Sequence, residues 1–264
     1  MTNVIGLFNY RSGSSYVFRS IAHLINKYFK KCAYLGEYFS PIHLDMWYLD
    51  NSNDLKYKEQ EWQKTVDYTS NLANKNFKND IHNIDLNYTS KKNLKNLAFL
   101  NNISSSYALK FCPHHLVGIN IANLNNLPNT IKIFVKRLDL EDQCLSFLFA
   151  RETGLWWTSN NLNYDYNNFT YSTNLHFQSI KFIVQQEIEL DKISKEFEFD
   201  FFIKYEDLTG NPYIDFKSIL NLEGIEIPKE KPKTTLKLLT KQEKINKMTN
   251  YRDFKKDFDT VVYD

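Results

Sequence analysis

The chain has 264 residues, 42% of them hydrophobic, which is enough for a buried core in one large domain or two small ones. We expect a single domain over residues 1–264. The 33 lysines and arginines nearly balance the 31 acidic residues, for a net charge of +2. This balance argues against a surface that coats nucleic acid or adheres to a membrane, so any anion-binding site must be local.

Strand and helix patterns alternate along the chain. Strand-like apolar runs occupy residues 4–8, 131–135 and 199–204. Apolar residues at helical spacing occupy residues 16–31, 140–152 and 180–197. Asp139 precedes the second of these helices as its N-cap. The alternation predicts an α/β fold with a central, mainly parallel β-sheet flanked by helices on both faces.

Two long segments show a weaker pattern. Residues 51–102 are polar and rich in Asn and Lys, so we expect an insertion there, with a helix at residues 55–72. Residues 228–264 form a charged tail with one helical stretch at residues 241–258.

The loop between the first strand and the first helix reads Arg11-Ser12-Gly13-Ser14-Ser15. A loop that opens a helix directs unpaired backbone N–H groups and the positive end of the helix dipole to one place, which suits phosphate. Gly13 lets the backbone approach an anion, the serines add hydroxyl donors, and Arg11 adds a planar cation. The alternative is an ordinary strand-to-helix turn with serine caps.

A second anion site is predicted after the strand at residues 131–135. Arg137 stands at the end of that strand and Ser146 lies in the following helix, so an anion at the mouth of the turn would meet both side chains. Alternatively, Arg137 is a surface cation and Ser146 a small packing residue. Two such turns in one chain indicate a ligand with two phosphate groups.

The phosphate-binding patterns of two large protein classes do not occur in these loops. GxxxxGK[ST] fails because the first loop has neither the leading glycine nor the lysine, so a nucleoside triphosphate with magnesium is poorly supported. GxGxxG is absent too, which leaves a dinucleotide-binding fold without its fingerprint.

These residues resemble the signatures of sulfotransferases that use 3′-phosphoadenosine-5′-phosphosulfate (PAPS). RSGSSYVFRSI resembles the loop that grips the 5′-phosphosulfate, and FVKRLDLEDQCLSFLFARETGLWW resembles the segment whose arginine and downstream serine hold the 3′-phosphate. The second segment is most similar to the bacterial, trehalose-sulfotransferase-like branch. Leu35-Gly36-Glu37 is similar to the Gly-Glu motif of that branch, and Tyr205-Glu206-Asp207-Leu208 to a segment near the last strand of the family.

The chain departs from the family in two places. Asn9-Tyr10 replaces the usual proline before the arginine, and the spacing from Arg137 to Ser146 is one residue longer than in the commonest form. Residues 51–102 have no recognisable counterpart, so we assign them to an insertion or to the acceptor side.

The resemblance implies a single sulfotransferase-like domain with a P-loop-like anion loop after the first strand, PAPS as donor and no metal. The implied cofactor-binding residues are Arg11, Ser12, Gly13, Ser14, Ser15, Tyr16, Arg137 and Ser146. Arg11 and Glu37 are the implied catalytic residues, with Glu37 as the general base toward the hydroxyl of a carbohydrate or small-molecule acceptor. His43 and His176 are rival bases. By position in the family, Lys241 and Lys244 close over the nucleotide.

Two other functions stay open from the sequence. A P-loop-type nucleotide or sugar kinase would need a phosphate-gripping lysine and a magnesium carboxylate. A catalytically inactive sulfotransferase-like protein would bind a glycan or a partner. The 3 cysteines lie far apart, and no run approaches the roughly 18 apolar residues of a membrane span. We therefore expect a cytoplasmic protein without a transmembrane segment or a nucleic-acid partner.

Overall fold

A computed structural model describes residues 3–29, 32–37, 86–102, 106–153, 168–222 and 239–263. The strands are β1 Asn3–Phe8, β2 Cys32–Gly36, β3 Ser106–Phe111, β4 Thr130–Lys136, β5 Phe169–Thr170, β6 Phe201–Lys204 and β7 Met248–Thr249. The α-helices are α1 Ser14–Tyr28, α2 Leu86–Asn102, α3 Ile121–Asn125, α4 Leu140–Thr153, α5 Thr173–Ser194, α6 Pro212–Phe216, α7 Lys241–Lys247 and α8 Tyr251–Tyr263. Short 3₁₀ helices span Pro113–Leu116 and Tyr205–Asp207.

The five longer strands form one parallel sheet in the order β2-β3-β1-β4-β6. β1 lies at the centre, with Val4 opposite Ala108 of β3 and Ile131 of β4. Every residue of β1 is buried, because strands and helices cover it on all sides. This is why its sequence is a continuous apolar run and not an alternating one. The predicted α/β class with a parallel central sheet is confirmed.

Helices cover both faces of this sheet. α1 and α6 pack on one face, whereas α2, α3 and the end of α5 pack on the other. Close contact between α1 and β1 depends on Gly6, since a Cβ there would lie 1.7 Å from Cζ of Phe18. The position of α1, and of the loop that opens it, is therefore fixed by close packing on the central strand.

The chain leaves the sheet toward opposite faces after its two central strands. The connection after β1 runs through α1 on one face, and the connection after β3 runs through α3 on the other. The carboxyl ends of β1 and β3 thus flank a topological switch point, where open parallel sheets bind ligands. Arg11, Glu37, Cys112, Arg137 and Tyr205 all follow strands at this same edge.

The predicted elements differ from the observed ones in three respects. β2 and β3 were not predicted as strands. α2 lies within the segment interpreted as an insertion, and its Leu97 and Leu100 belong to the core. The single helix predicted in the tail is two helices, α7 and α8, separated by β7 and by Asn250 with a φ of 64°. The helix predicted at residues 55–72 lies outside the described residues.

The reason for the missed helix is its composition. Asparagine has low helix propensity, and α2 contains several asparagines, so the local preference is weak and tertiary packing decides. None of the helices in the described part of the chain combines the length and the apolar character needed to cross a bilayer.

Candidate anion-binding site

The loop after β1 makes a tight turn that depends on glycine. Arg11 has a φ of 61° and Gly13 a φ of 78°, both in the left-handed region. At Gly13 a Cβ would also lie 2.5 Å from Cδ2 of Tyr205, so any side chain there is excluded sterically. α1 begins directly after Gly13 with no side-chain cap and no acidic residue in its first turn. Its first amide groups therefore keep their donor capacity for an anion.

Asn9 holds this loop in place. Its Nδ2 donates to Oε2 of Glu187 at 2.8 Å and to the carbonyl of Ile183 at 3.2 Å, both on α5. Its Oδ1 accepts from the backbone N–H of Tyr10 at 2.8 Å. At this position a buried carboxamide fixes the start of the loop against a helix distant in sequence.

Lys110 is the functional candidate that sequence reasoning missed. It enters the site from β3, next to β1, with its side chain only 2% exposed. Its Nζ donates to Oγ of Ser15 at 2.7 Å and to Oγ of Ser14 at 3.3 Å, and lies 3.1 Å from Oε1 of Glu37. Burial lowers the pKa of Lys110, and the charge of Glu37 opposes that shift. The available signal was a lone lysine inside the apolar run SYALKF.

Glu37 follows the end of β2 and lies beside the loop. Its side chain is 9% exposed, with Oε1 on Lys110 and Oε2 3.9 Å from Nε2 of His115. Lys110 therefore joins Glu37 to Ser14 and Ser15 through a single ammonium group. The structure thus brings together the predicted base and the predicted phosphosulfate loop, and it adds a cation between them.

Of the rival bases, His43 lies outside the described residues. His176 is buried near the start of α5. Its Nδ1 accepts the backbone N–H of Ser172 at 2.9 Å, and its Nε2 lies 3.1 Å from Oε1 of Glu152. These contacts give His176 a role in capping and packing α5.

A cluster of titratable side chains borders Glu37. The hydroxyl of Tyr10 lies 3.2 Å from Nε2 of His114 and 3.5 Å from Nε2 of His115, and Sγ of Cys112 lies 3.0 Å from Nδ1 of His114. Burial raises the pKa of Tyr10 and of Cys112, and it lowers the pKa of His114 to about 4. Tyr10, Cys112 and His114 are therefore neutral near pH 7.

The same cluster has a composition that metals favour. Ligand atoms of Cys112, His114 and His115 lie within 4.8 Å of one another. However, Nδ1 of His115 accepts the backbone N–H of Cys112 at 3.2 Å, so the proton of a neutral ring is on Nε2. A protonated nitrogen does not ligate a metal. In this arrangement Nε2 of His115 donates toward the hydroxyl of Tyr10 at 3.5 Å and lies 3.9 Å from Oε2 of Glu37.

The second predicted anion turn brings Arg137 and Ser146 into direct contact. One guanidinium nitrogen of Arg137 donates to Oγ of Ser146 at 3.1 Å and to the carbonyl of Arg11 at 3.2 Å. The other terminal nitrogen pairs with Asp142. The guanidinium stacks on the ring of Tyr205, 4.2 Å from its centroid. Arg137 thus links the two predicted turns, and a carboxylate of the protein already faces it.

Lys244 joins this second turn from the tail. Its Nζ lies 2.5 Å from Oδ1 of Asp142. Burial, together with the charges of Arg137 and Arg11, lowers the pKa of Lys244 to about 8, although Asp142 opposes the shift. Two cations, Arg137 and Lys244, therefore face one carboxylate at the end of β4.

The backbone amides of the second turn are already occupied. Oδ1 of Asp139 accepts the N–H of Asp142 at 2.9 Å, which confirms the predicted N-cap. Oε1 of Glu206 accepts the N–H of Leu138 at 2.9 Å and of Asp139 at 3.2 Å. Lys241 pairs with Asp139 at 3.0 Å and so lies on the outer side of this turn. The first turn is open to an anion, whereas protein carboxylates fill the second.

Two further predicted residues have distinct positions. The hydroxyl of Tyr16 donates to Oδ2 of Asp215 at 2.5 Å, and its ring packs on Phe216. The side chain of Tyr16 thus points into the core, and only its backbone N–H is available to a ligand. Oγ of Ser12 is fully buried and has no hydrogen-bond partner among the described residues.

The site as a whole is a cluster of charged side chains at the switch point of the sheet. Arg11, Lys110, Arg137 and Lys244 contribute positive charge there; Glu37 and Asp142 face these cations, and Asp139 and Glu206 accept from the backbone of the second turn. The cations of the first turn and of β3 suit a ligand with several negative charges. Comparison of the chain with protein-family models and with curated proteins finds no match.

Proposed function

We propose that the protein is a sulfotransferase that moves a sulfuryl group from PAPS to a hydroxyl of a carbohydrate or another small-molecule acceptor. The proposal rests above all on Lys110, which joins Ser14 and Ser15 of the anion loop to Glu37. A phosphosulfate on the loop would meet a fixed cation, and a carboxylate base would lie on the other side of that cation. The similarity of the loop and of the Gly-Glu stretch to the sulfotransferase family supports the same assignment.

In this proposal the chain holds the donor through its own cations. Arg11 and the first amides of α1 bind the 5′-phosphate, and Arg137, Ser146 and Lys244 bind the 3′-phosphate. Lys110 stabilises the negative charge that develops on the oxygen between phosphorus and sulfur. These side chains supply the positive charge that magnesium supplies in phosphoryl transfer, so the proposed reaction needs no metal.

The transfer step is an in-line displacement at sulfur. The acceptor oxygen forms a bond to sulfur while the bond from sulfur to the bridging oxygen breaks, and the electron pair stays on the leaving phosphate. The acceptor proton passes to Glu37. Because a bound phosphosulfate competes for the ammonium of Lys110, it weakens the ion pair with Glu37 and leaves that carboxylate freer to accept the proton.

Calorimetric titration with adenosine 3′,5′-bisphosphate (PAP), with and without magnesium, tests the proposed donor site. We expect binding that does not depend on magnesium and that weakens at least about tenfold in Arg11→Ala, because a charge-assisted contact to phosphate is lost. Arg252→Ala is the control, since Arg252 is exposed on α8. Failure of the wild-type protein to bind, or tighter binding of ATP with magnesium, would reject the sulfotransferase assignment.

A P-loop-type kinase is the second candidate, and Lys110 is the observation that favours it. Lys110 reaches the loop from β3 and so supplies the lysine that the loop itself lacks. Phosphate release from ATP that requires magnesium would identify a kinase-like activity. Transfer of labelled sulfate from PAPS to an acceptor, abolished in Glu37→Gln, would identify the sulfotransferase and separate it from an inactive, binding-only protein.

The location of the protein stays a prediction. Cys32, Cys112 and Cys144 are buried thiols and form no disulfide with one another, a state that suits a reducing compartment. We therefore propose that the enzyme acts in the cytoplasm, where its donor would be available.

A further inference from the structure

Asp142 has an environment that is unusual for a carboxylate beside a phosphate site. One oxygen pairs with Arg137 and the other lies 2.5 Å from Nζ of Lys244, and the residue is 8% exposed. Oγ of Ser146, the predicted phosphate ligand, accepts a hydrogen bond from Arg137 at 3.1 Å. The carboxylate therefore lies where two cations and a hydroxyl converge.

The cations around Asp142 exceed what one carboxylate neutralises. Arg137 and Lys244 together carry two positive charges against the single negative charge of Asp142, and Arg11 adds to the positive potential felt by Lys244. Asp139, the next carboxylate that acts on Arg137, is itself paired with Lys241. Nε of Arg137 is buried and has no hydrogen-bond partner among the described residues. A cluster with surplus charge and an unsatisfied donor is costly unless an anion completes it.

We infer that Asp142 is a resident counter-anion of the second phosphate site, and that a ligand phosphomonoester must displace its carboxylate from Arg137 and Lys244. This inference rests on the proposed function for the identity of the ligand, a nucleotide with a 3′-phosphate. Asp142 then keeps the site neutralised while it is empty and sets how much the 3′-phosphate adds to binding.

The exchange has a defined energetic consequence. A phosphate dianion gains contacts to Arg137, Lys244 and Ser146. The gains at Arg137 and Lys244 replace contacts that Asp142 already makes, and the gain at Ser146 competes with the hydrogen bond from Arg137. The displaced carboxylate also remains close to the incoming dianion, which repels it. The 3′-phosphate therefore adds little net affinity in the wild-type protein, whereas the open first turn supplies most of the binding.

Titration of the wild type and of Asp142→Asn with PAP and with adenosine 5′-monophosphate (AMP) tests this. PAP and AMP differ only in the 3′-phosphate, so the ratio of their dissociation constants measures how much that phosphate contributes to affinity. We expect AMP to bind less than about tenfold more weakly than PAP in the wild type, and about a hundredfold more weakly in Asp142→Asn, because two charge-assisted contacts become available without competition. The affinity for AMP itself should be nearly the same in both proteins.

Glu141→Gln is the matched control. It removes the same charge from the neighbouring residue, which contacts Lys241, Lys255 and Tyr251 but neither Arg137 nor Lys244, so it reports the effect of a lost charge outside the second phosphate site. An unchanged ratio in Asp142→Asn, or a ratio already near a hundredfold in the wild type, overturns the inference. If Asp142→Asn does not fold, the ratio of the PAP and AMP dissociation constants in the wild type still tests the inference.

The two proposals fail in different ways. If neither nucleotide binds to any variant, the proposed donor is wrong, and inorganic phosphate then serves as the probe. Phosphate should raise the melting temperature of Asp142→Asn more than that of the wild type or of Glu141→Gln. Equal shifts in the three proteins would overturn the displacement of Asp142 as well.

Discussion

At the scale of single residues, Lys110 and Glu37 account for each other's burial. A lysine that is 2% exposed in a parallel strand is destabilising unless its three donors find acceptors, and Ser14, Ser15 and Glu37 supply them. Glu37, at the end of an edge strand, is buried only because the ammonium faces it. The pair is therefore a coupled unit, and the stability of the fold should depend on both members together.

A double-mutant cycle tests this coupling. We expect Lys110→Met alone to lower the free energy of unfolding by about 3 kcal/mol, since it leaves the charge of Glu37 buried without its main partner. Glu37→Gln alone should have a similar effect, because it leaves the ammonium of Lys110 buried without its carboxylate partner. The double variant should lose clearly less than the sum of the two, as expected of residues in direct contact.

Chemical denaturation monitored by circular dichroism measures all four proteins of the cycle. The coupling should weaken little in high salt, because buried pairs are poorly screened. Strictly additive losses would show that Lys110 and Glu37 do not interact, and the ion pair could then not link the loop to the predicted base.

At the scale of elements, the anion loop is shaped by its neighbours more than by its own sequence. Asn9 ties its start to α5, and Tyr205 packs against Gly13 from the segment after β6. Arg137 donates to the carbonyl of Arg11 from the end of β4. Contacts from three other elements therefore set the direction in which the first amides of α1 point.

Replacing Asn9 by alanine should misplace the loop. We expect Asn9→Ala to weaken PAP binding about tenfold and to lower the free energy of unfolding by about 2 kcal/mol, since the hydrogen bonds to Glu187 and Ile183 are lost from a buried site. Calorimetry and denaturation would measure the two effects on the same samples.

Asn3→Ala is the control at the opposite end of β1. Asn3 is also buried, and its Nδ2 donates to the carbonyl of Pro128 at 3.1 Å, far from the carboxyl edge of the sheet. This variant should lose stability but keep its affinity for PAP. A loss of affinity in both variants would mean that general destabilisation, and not loop position, controls binding.

At the scale of the whole molecule, the parallel sheet gathers side chains that are distant in sequence at one edge. The strand runs of β1, β4 and β6 are apolar or β-branched enough to be predicted from the sequence, and so were the helices that follow β1 and β4 and the N-cap Asp139. β2, β3 and α2 were missed because their local patterns are short or rich in asparagine, and only their pairing with β1 and the core defines them. The missed residues Lys110 and His115 lie on or directly after β3, so they could not be placed at the site without that strand.

The position of Asp142 between two cations is a second feature of the site that could not be predicted from the sequence. Its position in the first turn of α4 predicts a favourable contact with the helix dipole, which is true of many acidic residues. That Lys244 lies opposite it depends on how the tail packs on α4, 102 residues away in sequence. Motif spacing identified Arg137 and Ser146 but gave no sign of the carboxylate between the cations.

The histidine cluster makes the stability of the whole chain depend on pH. Burial lowers the pKa of His114 from its usual 6.5 to about 4 in the folded state. At pH values between these two pKa values, the unfolded chain binds a proton at His114 that the folded chain does not bind, so a lower pH favours unfolding. We expect this one group to cost about 2 kcal/mol between pH 7 and pH 5 and about 1 kcal/mol more down to pH 4, below which its contribution levels off.

Urea denaturation of the wild type and of His114→Gln at several pH values measures that contribution. Glutamine keeps a side-chain amide near Tyr10 and Gln186 but does not titrate. Carboxylates that protonate below pH 5 change the free energy of unfolding of both proteins equally, so their contribution cancels in the difference between the two curves. Above pH 7 the two curves should run parallel, and below it the wild type should lose stability faster. Parallel curves down to pH 4 would mean that the ring of His114 gains its proton as readily in the folded chain as in the unfolded one, and that water reaches the cluster beside Glu37.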